Sequence, residues 1–98
     1  MASIRATRTM LEKSICDCNA DVRELLKERG LVDYDNLKPG DRVVLDGRMS
    51  KKDVKVSCYR AKNRGDKRIW ITGINKAANP GDNINLKVRG ETIHITVS

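Results

Sequence analysis

The sequence predicts an α+β domain: one N-terminal α-helix followed by a five-stranded antiparallel small β-barrel. Three observations carry this. Apolar residues recur at spacings of three and four from Leu11 to Leu26, the stripe of an amphipathic helix. From Leu37 onward the apolar period drops to two. Pro-Gly-Asp and Arg-Gly turn signals then separate short alternating runs. Ninety-eight residues suit one domain with a single modest core. The expected division is a short basic arm over 1–8 and a domain over 9–98, with the helix at 9–29 and the barrel at 38–98.

The helix is expected to open at Thr9-Met-Leu-Glu12, which reads as a capping box. Leu11, Ile15, Cys18, Val22, Leu25 and Leu26 form its apolar stripe, and Gly30-Leu31 suits a left-handed C-cap. Asp17–Asn19 is a point where it can break, because Asp and Asn favour caps over helix interiors. Its charges nearly balance: Lys13, Arg23, Lys27 and Arg29 stand against Glu12, Asp17, Asp21, Glu24 and Glu28. Five carboxylates would repel phosphates, so the helix is expected to pack on a sheet, not to enter a major groove.

Lys38–Asp41 reads as a turn, followed by a strand over Arg42–Leu45 and a turn at Asp46-Gly47. Val54–Ala61 and Lys67–Thr72 read as a hairpin around Asn63–Asp66. After a turn at Asn79–Asp82, Asn83–Val88 and Thr92–Val97 form a second hairpin around Arg89-Gly90. Pro39-Gly-Asp-Arg-Val-Val-Leu45 is echoed by Pro80-Gly-Asp-Asn-Ile-Asn-Leu86. Turn chemistry reuses such residues, so the echo need not be a true repeat. The pattern resembles a small SH3-like or OB-like barrel, without a motif that singles out a family.

A two-residue turn at Arg89-Gly90 would set Leu86 opposite Ile93 and Ile84 opposite Ile95 on one apolar face that includes Val97. Asn83, Asn85, Lys87, Thr92, His94 and Thr96 then share the polar face. The same rule applied to the first hairpin, with Arg64-Gly65 as its turn, sets Cys58 against Ile71 and Val56 against Gly73. Tyr59 then falls directly across from Trp70, away from the core. Two arrangements of this face are open: an exposed aromatic surface among cations, or a second small core beneath the helix.

The function argument rests on charge. The stretch Arg48–Arg68 holds nine basic residues against two acids, an excess equal to the net charge of +7 on the whole chain. Such a concentrated excess is an electrostatic footprint, larger than an edge strand needs for protection. Arg48, Lys51, Lys52, Lys55, Arg60, Lys62, Arg64, Lys67 and Arg68, with Tyr59 and Trp70, are therefore the candidate nucleic-acid-binding residues. Cations track phosphates and bases stack on the rings, which favours single-stranded DNA or RNA read with low specificity. Arg5 and Arg8 in the arm would extend the contact. The rival expectation is a small adaptor or inhibitor, of the kind viruses use, whose basic face docks on an acidic partner such as a nucleic-acid-processing enzyme.

The chain contains no Gly-rich phosphate loop, nucleophile elbow or paired-carboxylate motif, so no enzymatic activity and no cofactor is expected. Cys16, Cys18, Cys58 and His94 are the residue types that bind zinc. On a helix, however, Cys16 and Cys18 would point about 200° apart, so no metal site is expected. Three cysteines and no apolar leader or membrane span fit an intracellular, cytoplasmic protein. The edge of the C-terminal strand is a candidate for homodimer pairing.

Overall fold

Alternating apolar residues do build a curled sheet here, but from six strands. A computed structural model describes the whole chain, Met1–Ser98. The elements in order are β1 (Ala2–Arg5), α1 (Arg8–Lys13), α2 (Ala20–Glu28), a 3-10 turn (Tyr34–Asn36), β2 (Arg42–Met49), β3 (Lys52–Arg60), β4 (Lys67–Ile71), α3 (Ile74–Ala77), β5 (Asn83–Arg89) and β6 (Thr92–Val97). The sheet is a half-barrel with strand order β1-β5-β6-β2-β3-β4. All neighbours are antiparallel except β2 and β6, which run parallel over Gly47–Met49 and Ile93–Ile95. No helix is long and apolar enough to cross a membrane.

The expected arm is largely strand. Ala2 and Ile4 are buried against Leu86 and Ile84 of β5, while Ser3 and Arg5 face outward. Four residues of alternation are too few to stand out in a sequence. The fifth strand of the sequence reading thus becomes the sixth of the sheet, and Arg5 and Arg8 belong to β1 and α1, not to a free tail.

The single helix expected over 9–29 is two. Thr7, not Thr9, caps α1, its hydroxyl accepting from the Met10 amide at 3.2 Å, and Ser14 ends the helix in the left-handed region at φ 55°. Asn19 caps α2, accepting from the Val22 amide at 3.0 Å. The intervening chain runs extended beside β4: Ile69 N donates to Cys16 O at 3.0 Å and Cys18 N to Lys67 O at 2.9 Å. The Asn19 side-chain amide meanwhile donates to Ser3 O of β1 at 2.9 Å. The helix break therefore links the sheet's first and last strands. Periodicity alone misses it, because the stripe continues in phase through the interruption.

β2 runs through Asp46-Gly47, where a turn was expected, to Met49. The reversal comes at Ser50-Lys51, a two-residue hairpin with both residues left-handed, φ 51° and 64°. Such turns favour Asn-Gly, so Ser-Lys gives no warning in the sequence. Gly47 instead faces the core, where an added Cβ would lie 2.9 Å from Val56 Cγ2 and 3.2 Å from Ile95 Cδ1. Val56 is branched and fully buried, so it has little room to move. Gly47→Ala is expected to destabilise the domain by about 1–3 kcal/mol in a urea titration; an unchanged midpoint would mean β2 is not seated this closely.

Both hairpins keep the expected core residues but shift their pairing by two. In the last, Gly90-Glu91 forms the turn, so Val88 faces Ile93, Leu86 faces Ile95 and Ile84 faces Val97. In the basic one, Cys58 faces Ile69, Val56 faces Ile71, Tyr59 faces Arg68 and Ser57 faces Trp70. Its loop is Ala61–Asp66, closed by Ala61 N to Asp66 O at 2.9 Å and Gly65 N to Ala61 O at 2.8 Å. A shift of two conserves the face of every side chain, which is why the buried set survives the wrong register. β6 is interior, flanked by β5 and β2, so the C-terminal strand lacks the free edge expected of it.

The 22 buried core residues form one cluster between the curled sheet and the helices, Met10, Val22, Leu26 and Ile74 among them. Tyr34 is sunk into it and its hydroxyl donates to Arg68 O at 2.8 Å. Tyr59 is outside this cluster, whereas Trp70 is half-buried and packs against it.

Candidate nucleic-acid interface

Strand alternation sorts β2–β4 into two faces. Val43, Leu45, Gly47, Met49, Val54, Val56, Cys58, Ile69 and Ile71 face the core. Arg42, Val44, Asp46, Arg48, Asp53, Lys55, Ser57, Tyr59, Arg68 and Trp70 face the other way. Registered residues form rows across this outer face: Arg42–Tyr59–Arg68, Val44–Ser57–Trp70, Asp46–Lys55 and Arg48–Asp53. Tyr59 and Trp70 are both half-buried and sit as diagonal neighbours, not directly opposite as expected. That diagonal is within reach of aromatic side chains. Trp70 packs partly against the core while remaining on the outer face. The Arg42 guanidinium lies 4.4 Å from the Tyr59 ring centroid, a cation–π contact. Arg42 lies outside the basic stretch, and only the β2–β3 register could have revealed it.

The nine cations of the stretch have separate fates. Arg60 is not displayed to a ligand. Its Nε donates to Gly65 O at 2.8 Å, and its Nη1 donates to Leu37 O at 3.0 Å and Tyr34 O at 3.4 Å, clamping the 61–66 loop to the segment after the 3-10 turn. Arg68 is largely covered, with Nη2 bonded to Asp66 at 3.2 Å and Nε 4.0 Å from Asp17. Arg48 pairs with Asp53 at 2.9 Å, Lys55 with Asp46 at 2.6 Å and Lys67 with Asp35 at 3.1 Å. The hydrogen bond that Lys55 donates to Asp46 raises its ammonium above the usual lysine range, and the bond that Asp35 accepts from Lys67 lowers Asp35 below the usual carboxylate range. These pairs are exposed enough to hold weakly, so a phosphate can compete for the same cations.

Lys51, Lys52, Lys62 and Arg64 carry no ion pair. They are exposed at the two ends of the basic hairpin, the first two at the β2–β3 tip and the others in the 61–66 loop. β3 spans roughly 26 Å between them. The aromatic and apolar side chains of the outer face therefore lie at its 61–66 loop end, beside Lys62 and Arg64. The paired Asp46–Lys55 and Arg48–Asp53 rows separate them from Lys51 and Lys52 at the far tip, where Lys52 shares a register position with core-facing Met49.

Cys16, Cys18 and Cys58 are buried and free. Burial pushes the Cys16 and Cys58 thiols up to about 12 and raises Cys18 as well, so all three are neutral at ordinary pH and poor nucleophiles. Cys16 and Cys18 lie on an extended segment, not a helix, and are therefore not splayed as expected. His94 projects from β6 on the outer face, between Lys87 and Arg48 in register. No three His, Cys, Asp or Glu side chains are grouped to hold a metal ion. No family model, curated protein or solved structure matches the chain.

Proposed function

We propose that the protein binds single-stranded nucleic acid, with low sequence specificity, across the outer face of β2–β4. The observation that carries this reading is the shared face of Tyr59 and Trp70, with Arg42 stacked on the former. Bases stack on such rings whatever their identity, and the unpaired Lys62 and Arg64 beside them, with Lys51 and Lys52 at the far tip of β3, supply phosphate contacts. The exposed face of α2 carries Asp21, Glu24 and Glu28 beside Lys27, carboxylates that would repel the phosphates flanking a major groove. The reading needs neither a cofactor nor a catalytic group.

Trp70, the only tryptophan, reports directly on the proposal. Adding a single-stranded oligothymidylate should quench its emission. Trp70→Leu keeps an apolar side chain on the face but removes the ring, and should cost roughly 1–3 kcal/mol of affinity in a protein that still folds by circular dichroism. Four phosphate contacts give a slope of about −3 to −4 for log K against log salt, and reversing both Lys62 and Arg64 to Glu should flatten it by about 1.4–1.8. Unquenched Trp70 and no retardation of DNA or RNA would overturn the reading. The basic face would then suit an acidic protein, whose capture should survive nuclease treatment.

A further inference from the structure

β3 pairs with β2 along all of Arg42–Met49, whereas β6 pairs only with Gly47–Met49. Arg42-Val-Val-Leu-Asp46 consequently has a strand on one side alone. The two outermost strands are partly covered: Cys16–Cys18 lies along β4, and the Asn19 side chain donates to Ser3 O of β1. Val44 is 54% exposed, and Val43 and Leu45 are only half-buried. Edges left open in a sheet are ordinarily blunted by lysine, proline or a bulge. This one is apolar and β-branched between two opposite charges.

We propose that two copies of this chain pair antiparallel through the open edge of β2, with Val44 on the two-fold axis. The segment is complementary to itself in that register. Arg42 meets Asp46 of the partner subunit, Val43 meets Leu45 of the partner subunit, and the two Val44 side chains face each other. Moving the centre one residue earlier sets Asp41 against the partner's Leu45. Moving it one later sets Arg42 against the partner's Arg48 and runs into the edge already taken by β6. Only the Val44 register therefore matches charge with charge and apolar with apolar. The contact is isologous and closes at two copies, so it produces no filament. The exposed Arg42–Asp46 pairs set register more than strength, while apolar contact and new backbone hydrogen bonds hold the pair together. The row Trp70–Ser57–Val44 would continue through the axis into its symmetry mate, leaving a tryptophan at each end of a strip roughly 24 Å long at about 4.8 Å per strand.

The pairing does not depend on the nucleic-acid reading, and its test uses none. Sedimentation equilibrium of the nuclease-treated full chain across a concentration series should show the mass rising to twice the monomer. Arg42→Asp and Asp46→Arg each place like charges opposite on both sides of the axis and should weaken self-association about tenfold or more. Mixing these two variants opposes unlike charges again and should restore the dimer, as should the double swap within one chain. Val44→Lys, at an exposed site, brings two ammonium groups together on the axis and should leave a folded monomer by circular dichroism. A parent that stays monomeric throughout would overturn the proposal. So would single variants that associate like the parent, or folded single variants that fail to combine when mixed.

Discussion

Leu86→Asp is expected to abolish cooperative thermal unfolding, whereas Lys87→Asp should leave the melt nearly unchanged. Leu86 is 1% exposed on β5, between Ala2 of β1 and Ile95 of β6. Truncating a buried leucine costs about 2–5 kcal/mol by itself. A carboxylate buried there without a partner adds several kcal/mol more, or forces its own protonation. A domain of this size has about 5–15 kcal/mol in hand, so the combined loss is comparable with its whole stability. Lys87 is the next residue, but it points outward, exposed beside His94. Substitutions at such positions usually stay within about 0.5 kcal/mol. Circular dichroism melts of the two variants separate the faces cleanly, and similar curves would mean that β5 is turned the other way.

The contrast between Leu86 and Lys87 is legible in the sequence because period-two alternation assigns faces without needing a register. That same property hid the registers. Arg89-Gly90 and Gly90-Glu91 are both plausible turns, and the choice between them moves Ile93 from Leu86 to Val88 without changing which side chains are buried. The Ala61–Asp66 loop misled the first hairpin likewise, turning the diagonal of Tyr59 and Trp70 into a direct pair. Other features had no local signal: β1 is only Ala-Ser-Ile-Arg, and the Ser50-Lys51 turn lacks the glycine or asparagine its backbone favours. The gap between α1 and α2 was marked by Asp17–Asn19, with Asn19 capping α2, but its pairing with β4, far along the chain, was not.

The candidate site shows the same limit. The cationic excess of Arg48–Arg68 is plain in the sequence, but its availability depends on residues distant in the chain. Asp17, Asp35 and Asp46 lie outside the stretch and take up Arg68, Lys67 and Lys55, while carbonyls of Tyr34 and Leu37 take up Arg60. Charge counted along a sequence thus overstates charge offered to a ligand. What remains unpaired, Lys51, Lys52, Lys62 and Arg64, lies in or beside the turns at the two ends of β3, with no carboxylate at ion-pair distance.

Arg60→Ala is expected to lose about 2–4 kcal/mol of stability, although Arg60 sits in the most basic part of the chain. Its guanidinium bonds to three carbonyls from separate segments, Gly65, Leu37 and Tyr34. Hydrogen bonds to a charged group contribute roughly 1.5–3 kcal/mol each, and partial exposure reduces the total here. Truncation also leaves Gly65, a buried left-handed residue at φ 73°, without the donor that fixes its carbonyl. Lys62→Ala and Arg64→Ala, in the same loop but exposed and unpaired, should change stability by no more than about 0.5 kcal/mol. Guanidinium chloride titrations compare the three. Oligonucleotide binding by the folded proteins should invert the order: Lys62→Ala and Arg64→Ala each lower the salt slope by about 0.7–0.9, while Arg60→Ala leaves it unchanged. An Arg60→Ala protein that is as stable as the parent and has a flatter salt slope would make Arg60 a phosphate ligand, and the clamp assigned to it would be wrong.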